Sequence, residues 1–316
     1  MVILGAGASR AACPRGDRSG RPLPLMADFS KCLGLDEVLR SWGVDQSANF
    51  EDVYSGLHKA GRLDQTAELA RVVEDYFGAL QLPEKPTIYD HLIMGLRETD
   101  LIATFNWDPL LLQAFQRAPR WLSKPRLAFL HGSVAIGYCD TDERTGVVGA
   151  ECTVCAKPFR RMPLLYPVGN KDYATDPAIA AHWDLFRFEL KEAFMVTVFG
   201  YSGPKTDAEA ISAMSAAWGD LSKRNMEQFA FITFQTDDEI AESWQRFIHT
   251  HHYEVHRDFH QSWIARHPRR TGEAYIAQYI DAKFIDKNPA PPDADLEALQ
   301  RWHLRFSEAE AGKSRR

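Results

Sequence analysis

The sequence predicts an α/β fold: a doubly wound parallel sheet with an inserted helical subdomain and a small cysteine-containing insertion. Two observations carry this. Short, nearly continuous apolar runs recur along the chain, each followed by a helical pattern. Strands of that kind, alternating with helices, build a parallel sheet covered on both faces. Small and polar residues also gather where the runs end, at "GAGAS" (5–9), "FNWD" (105–108), "HGS" (131–133) and "GYSGPKTD" (200–207). The carboxyl ends of the strands are where such a sheet binds its ligands.

Bulk properties set the frame. The chain has 316 residues, 45% hydrophobic and 25% charged, which suits a packed globular core. A formal net charge of −6 argues against a dedicated nucleic-acid surface, and the clusters "RHPRR" (266–270) and "KSRR" (313–316) read as solvated charge. No apolar run approaches the ~20 residues of a membrane span, so no membrane contact is expected. Five cysteines in this length make no disulfide framework, and a reducing cytoplasm is the expected compartment.

The strands are expected at "VILGAG" (2–7), "LIATFN" (101–106), "RLAFLHG" (126–132), "FMVTVFG" (194–200) and "FAFITF" (229–234), with a shorter one at "HYEVH" (252–256). Residues 20–98 interrupt the alternation. Phe50, Val53, Tyr54 and Leu57, then Leu69, Val72, Val73, Tyr76, Phe77 and Leu80, repeat at the spacing of one helical face. A second interruption, 135–165, has little periodicity and holds Cys139, Cys152 and Cys155. After the linker signal "NPAPP" (288–292) comes a helix with the apolar stripe Leu296, Leu299, Trp302 and Phe306. The division expected is 1–235 as the main domain, 236–287 as its extension, and 288–316 as linker, amphipathic helix and basic tail.

The first turn has two readings. Gly5 and Gly7 make a tight strand-to-helix turn, or they let the backbone approach a diphosphate at a helix start. Asn106 and Asp108 follow a buried strand. An amide both donates and accepts, which suits a ribose hydroxyl or a positioned water. Asp108 also reads as the Asx turn and N-cap of the helix "PLLLQAF", with Pro109 at its first position. His131 ends a strand beside a glycine, where an imidazole can hold or deprotonate a water near neutral pH. Gly200 and Ser202 end another strand. Asp207 reads as the cap of "AEAISAMSAAW".

The order of these motifs resembles the sirtuin-like family. Gly5, Ala6, Gly7 and Ser9 match its Gly-Ala-Gly-x-Ser turn. Thr104, Asn106 and Asp108 match its Thr-x-Asn-x-Asp segment, and His131 and Gly132 its His-Gly. "LLYPVGNKDY" with Lys171, and "GYSGPKTD", are similar to the bacterial branch in particular. The resemblance spans about residues 2–235. Two departures separate the chain from the deacetylases: "GRPLPLMADF" (20–29) lacks Asp-Phe-Arg, and no Phe-Gly-Glu follows the cysteines. The resemblance implies a Rossmann-like fold that hydrolyses NAD to nicotinamide and ADP-ribose, as an effector of antiviral defence. It implies NAD contacts from Gly5, Ala6, Gly7, Ser9, Thr104, Asp108, Gly200 and Ser202. Asn106 would orient ribose or water, Asp108 the carboxamide, and His131 the water. A homo-oligomer and a regulatory partner protein, such as an ATPase, are expected with that role. A protein deacylase and a non-catalytic NAD or ADP-ribose sensor are the alternatives.

"CTVC" (152–155) has zinc-knuckle spacing, with Cys139 upstream. A structural zinc wants four ligands and only three cysteines are near, so these read as an eroded zinc ribbon or as three reduced thiols. His252, His256 and His260 would share one face of a helix, but a strand at 252–256 scatters them.

Overall fold

The computed structural model describes residues 1–45, 48–166, 173–204, 207–248 and 253–313. Lys171, Lys205, Thr206, His252 and the last three residues of the basic tail lie outside these. The main sheet has six strands: β1 (Val2–Leu4), β2 (Leu101–Thr104), β3 (Arg126–Phe129), β7 (Met195–Phe199), β8 (Gln228–Ile232) and β9 (Tyr253–His256). Every pairing in it is parallel, and the order is β3-β2-β1-β7-β8-β9. All six apolar runs form strands, and β9 removes the helical alignment considered for His256 and His260.

Alternation along the strands assigns the two faces. Val2, Leu4, Ile102, Phe199 and Ile232 join one core, with the helices Phe50–Lys59, Leu63–Gly78 and Ile88–Gly95. Ile3, Leu101, Ala103, Val196, Val198, Phe229 and Phe231 join the other, with the helices Pro177–Glu192, Ala208–Trp218 and Asp237–Trp244. The aromatic stripe of the inserted helices is therefore core: Phe29 packs on Phe50, Phe77 and Trp107.

Between β3 and helix Pro177–Glu192 the chain builds a small antiparallel sheet. It holds β4 (Ile136–Cys139), β5 (Arg144–Val147) and β6 (Arg160–Arg161), in the order β5-β4-β6. Helix Leu296–Lys313 docks on its own chain. Leu299 is fully buried in the first core, Gln300 donates to the Arg117 carbonyl at 3.0 Å, and Arg269 holds Glu310 through two hydrogen bonds of 2.8 and 2.6 Å.

From β1 the order runs through β2 and β3 to one edge, and from β7 through β8 and β9 to the other. The strand order reverses between β1 and β7. The carboxyl ends of the strands at such a junction are where doubly wound sheets form the crevice that binds dinucleotides.

The junction is glycine-made. A Cβ built on Gly5 would lie 2.5 Å from the Gly200 carbonyl oxygen, one on Gly7 2.8 Å from Gly200 Cα, and one on Gly200 2.3 Å from Ala8 N. Gly200 also has φ of +63°, where an L side chain is strained. Gly20 has φ of +81° with open space around its Cβ position. Gly200→Ala is therefore expected to cost about 2 kcal/mol or more and Gly20→Ala distinctly less. Thermal unfolding of both variants checks this. Equal midpoints would show that the contact between the turns carries no strain.

Candidate functional site

The crevice is floored by a closed polar network. Ser9, 3% exposed on the first turn of helix Ala6–Ala12, donates to Asp108 Oδ2 at 2.6 Å. Its oxygen lies 2.7 Å from the Tyr89 hydroxyl and accepts from Asn106 Nδ2 at 2.9 Å. A hydroxyl has one proton, so with Ser9 donating to the carboxylate, Tyr89 donates to Ser9. Burial pushes the Tyr89 phenol well above its ordinary value, which keeps it a neutral donor. Burial also pushes the Asp108 carboxyl up, against the pull of its bonds from Ser9 and the Leu110 N–H. That last bond is the expected Asx turn, but the helix begins at Leu110 with Pro109, not Asp108, at its N-cap.

That network orients Asn106. Its Nδ2 donates to the Gly5 carbonyl at 2.9 Å. A carbonyl only accepts, so the amide cannot be turned over. Asn106 Oδ1 makes no hydrogen bond among the described residues, and the side chain is half-buried. It is an acceptor held at the mouth of the crevice. Thr104 is buried behind it and accepts from the Asn106 N–H at 3.0 Å.

His131 follows β3 and is 6% exposed. Gly132 lets the chain turn there: its φ is +82°, and a Cβ would sit 1.9 Å from the Pro163 carbonyl oxygen. The His131 ring meets the Phe105 ring edge-on at 4.7 Å and lies parallel to Tyr173 at 5.9 Å. Tyr201 stacks on Phe105 at 4.2 Å. Phe105 and Tyr173 thus flank the imidazole, with Tyr201 on the Phe105 ring. Its Nε2 is 3.4 Å from the Tyr173 hydroxyl and 4.0 Å from Asp207 Oδ1. The cap expected of Asp207 is absent: its backbone precedes helix Ala208–Trp218, yet its carboxylate makes no capping bond and accepts from Tyr201 at 3.1 Å.

The structure brings Gly5, Ala6, Gly7, Ser9, Thr104, Asn106, Asp108 and Gly200 together at one end of the sheet. It changes how several of them read. Gly7 N–H donates to the Gly200 carbonyl at 3.0 Å, so that donor is spent within the protein. Ser9, Thr104 and Asp108 are buried: Ser9 bonds to both Asp108 and Asn106, and Thr104 accepts from the Asn106 N–H. Ser202 stands exposed on the rim.

The small sheet carries a second cluster. Cys139, Asp142, Cys152 and Cys155 each present a ligand atom, and the four atoms lie within 4.8 Å of one another. Cys139 Sγ is 3.4 Å from Cys155 Sγ, and Asp142 Oδ2 is 3.2 Å from Cys152 Sγ and 3.5 Å from Cys139 Sγ. Zinc–sulfur bonds of about 2.3 Å and a zinc–oxygen bond of about 2.0 Å put tetrahedral ligands roughly 3.5–3.8 Å apart. The donor set and its spacing fit a structural zinc. Asp142 offers the fourth ligand atom missing from the cysteine count. Its signal was legible as Cys139-x-x-Asp142, the same spacing as Cys152-x-x-Cys155.

No family model matches the chain, and no curated protein matches it. Solved structures similar to it include a Sir2 homolog in complex with NAD, at 15% identity and TM-score 0.45, covering 81% of this chain and 82% of that one. Another is Sir2 in complex with the inhibitor EX-527, 2'-O-acetyl-ADP-ribose and a deacetylated p53 peptide, at 16% identity and TM-score 0.40, covering 81% and 87%. A third is Sir2Tm bound to a propionylated peptide, at 17% identity and TM-score 0.37, covering 81% and 86%.

Sequence reasoning missed Tyr89, Tyr173 and Tyr201 as parts of the site. Tyr89 sits in a helix whose apolar pattern reads as core, and nothing in its spacing marks a polar role. For the cluster on the small sheet, the expected result is one zinc per chain in protein purified without chelator. Asp142→Ala should weaken zinc binding about tenfold or more, and chelation should lower the thermal midpoint. Metal-free protein whose melting ignores the chelator would contradict the site.

Proposed function

We propose that the crevice binds NAD and that the chain is an NAD glycohydrolase, releasing nicotinamide and ADP-ribose. The observation that carries this reading is the pairing, at the point where the strand order reverses, of a fixed outward acceptor, Asn106 Oδ1, with a buried imidazole, His131. Each is held by groups on other elements, so little reorganisation is needed at the moment of reaction.

In this reading Gly5, Ala6, Gly7, Gly200 and Ser202 line the diphosphate. Asn106 Oδ1 accepts from a ribose hydroxyl. Ser9, Thr104 and Asp108 hold Asn106 rather than touch the dinucleotide, which amends the carboxamide role expected of Asp108. The bond from ribose C1′ to the pyridinium nitrogen breaks with its electron pair going to nitrogen, so nicotinamide leaves neutral. Water adds to the oxocarbenium-like C1′ and gives its proton to a ring nitrogen of His131, which later releases it to solvent. Phe105, Tyr173 and Tyr201 keep other water out. Zinc on the Cys139 cluster would staple the small sheet and takes no part in the reaction. Among the described residues no helix is long and apolar enough to cross a membrane. The motif resemblance supports a cytoplasmic role as the NAD-depleting effector of a bacterial anti-phage system, working as a homo-oligomer under a partner protein.

The test is nicotinamide release from NAD by the purified chain without acylated peptide. Wild type should turn over, and Asn106→Ala and His131→Ala should each lose about a hundredfold or more. A strict need for acylated peptide would make the protein a deacylase. Tight NAD binding without turnover would make it a sensor, and unchanged turnover in both variants would remove the site assignment.

A further inference from the structure

Asp207 is 5% exposed and lies at the start of a helix, where an aspartate normally caps the free N–H groups for about 1 kcal/mol. Here that use is given up. The Asp207 N–H donates to the Pro204 carbonyl at 2.9 Å, and the carboxylate turns inward. One oxygen accepts from Tyr201, and the other faces His131 at 4.0 Å. Tyr201 is itself fixed by its stack on Phe105, whose ring meets His131. A buried carboxylate is costly unless something answers its charge, and an imidazole at this distance is favoured in its charged form.

We propose that Asp207, held by Tyr201, is the positioning residue for His131, its carboxylate stabilising the imidazolium that forms when the ring takes a proton. The source of that proton rests on the NAD-cleavage reading; the pairing of the two side chains rests on geometry alone. Among the described residues, the titratable groups facing His131 are Asp207, Tyr173 and, through Asp207, Tyr201, with Glu209 acting across Tyr173. Burial pushes both phenols up, so they stay neutral. The Asp207 carboxyl is the acidic group of this set that faces the ring directly, at 4.0 Å from Nε2.

A purely structural Asp207 would anchor Tyr201 and leave the chemistry of the ring alone. Titrating the His131 ring signals by NMR in the full chain separates the two, and needs no turnover. Asp207→Asn should lower the His131 midpoint by about one pH unit or more, and Asp207→Glu, which keeps the charge, should restore most of it. In the NAD assay Asp207→Asn should lower kcat about tenfold or more with little change in KM. An unchanged midpoint in folded Asp207→Asn would overturn the proposal. If Asp207→Asn fails to fold, Tyr201→Phe takes its place, and a His131 midpoint and kcat both unmoved by it would overturn the proposal equally. A shifted midpoint in a wild-type chain that releases no nicotinamide would leave the pair standing and sink the NAD reading instead.

Discussion

The backbone of the turn after β1 lies directly against the backbone of the turn after β7, with Gly7 N–H bonded to the Gly200 carbonyl and Gly5 N–H to the Phe199 carbonyl. No side chain fits between them. This contact closes the two halves of the sheet at the point where their strand order diverges, and the rest of the site depends on it. It sets the Gly5 carbonyl where Asn106 Nδ2 can donate to it, which in turn aims Oδ1 outward. It brings Tyr201, one residue past Gly200, onto the Phe105 ring that meets His131. The glycines thus serve the protein's own backbone first, and the shape offered to a ligand follows from that.

The second constraint is burial of polar groups that must satisfy one another. Ser9, Tyr89, Asn106 and Asp108 come from three distant parts of the chain and close a network with no apolar alternative. Tyr89 ties it to helix Ile88–Gly95, and that helix is braced from behind. Asp90 pairs with Arg117, and Arg269 donates to the carbonyls of Met94 and Leu96 while holding Glu310 of the C-terminal helix. The last helix is therefore part of the support for the crevice, although it lies about 200 residues from Asn106 in sequence.

Much of this was legible beforehand, for identifiable reasons. A parallel strand buried on both faces needs an unbroken apolar run, so "VILGAG", "LIATFN" and "FMVTVFG" announced themselves, and the polar clusters after them marked the crevice. Asn106 and His131 were singled out because each follows a buried apolar run, at the strand end where such a sheet binds its ligand. Asp207 was misread because its local pattern is that of a helix cap, and only the fold shows its carboxylate turned toward His131. Tyr89 carried no mark in the sequence, because its polar atom finds partners that are remote along the chain. Asp142 was overlooked because carboxylates are common on surfaces, and its spacing from Cys139 gains meaning only beside the Cys152 pair.

The central claim is that the glycine junction and Asn106 receive one NAD molecule. The most direct measurement is a crystal structure with a carbocyclic NAD analogue, which cannot lose its nicotinamide. The account predicts the diphosphate against the Gly5–Gly7 and Gly200 turns, a ribose hydroxyl on Asn106 Oδ1, and the nicotinamide-bearing carbon facing His131. The analogue bound elsewhere, or the crevice closed to it at saturating concentration, would contradict it.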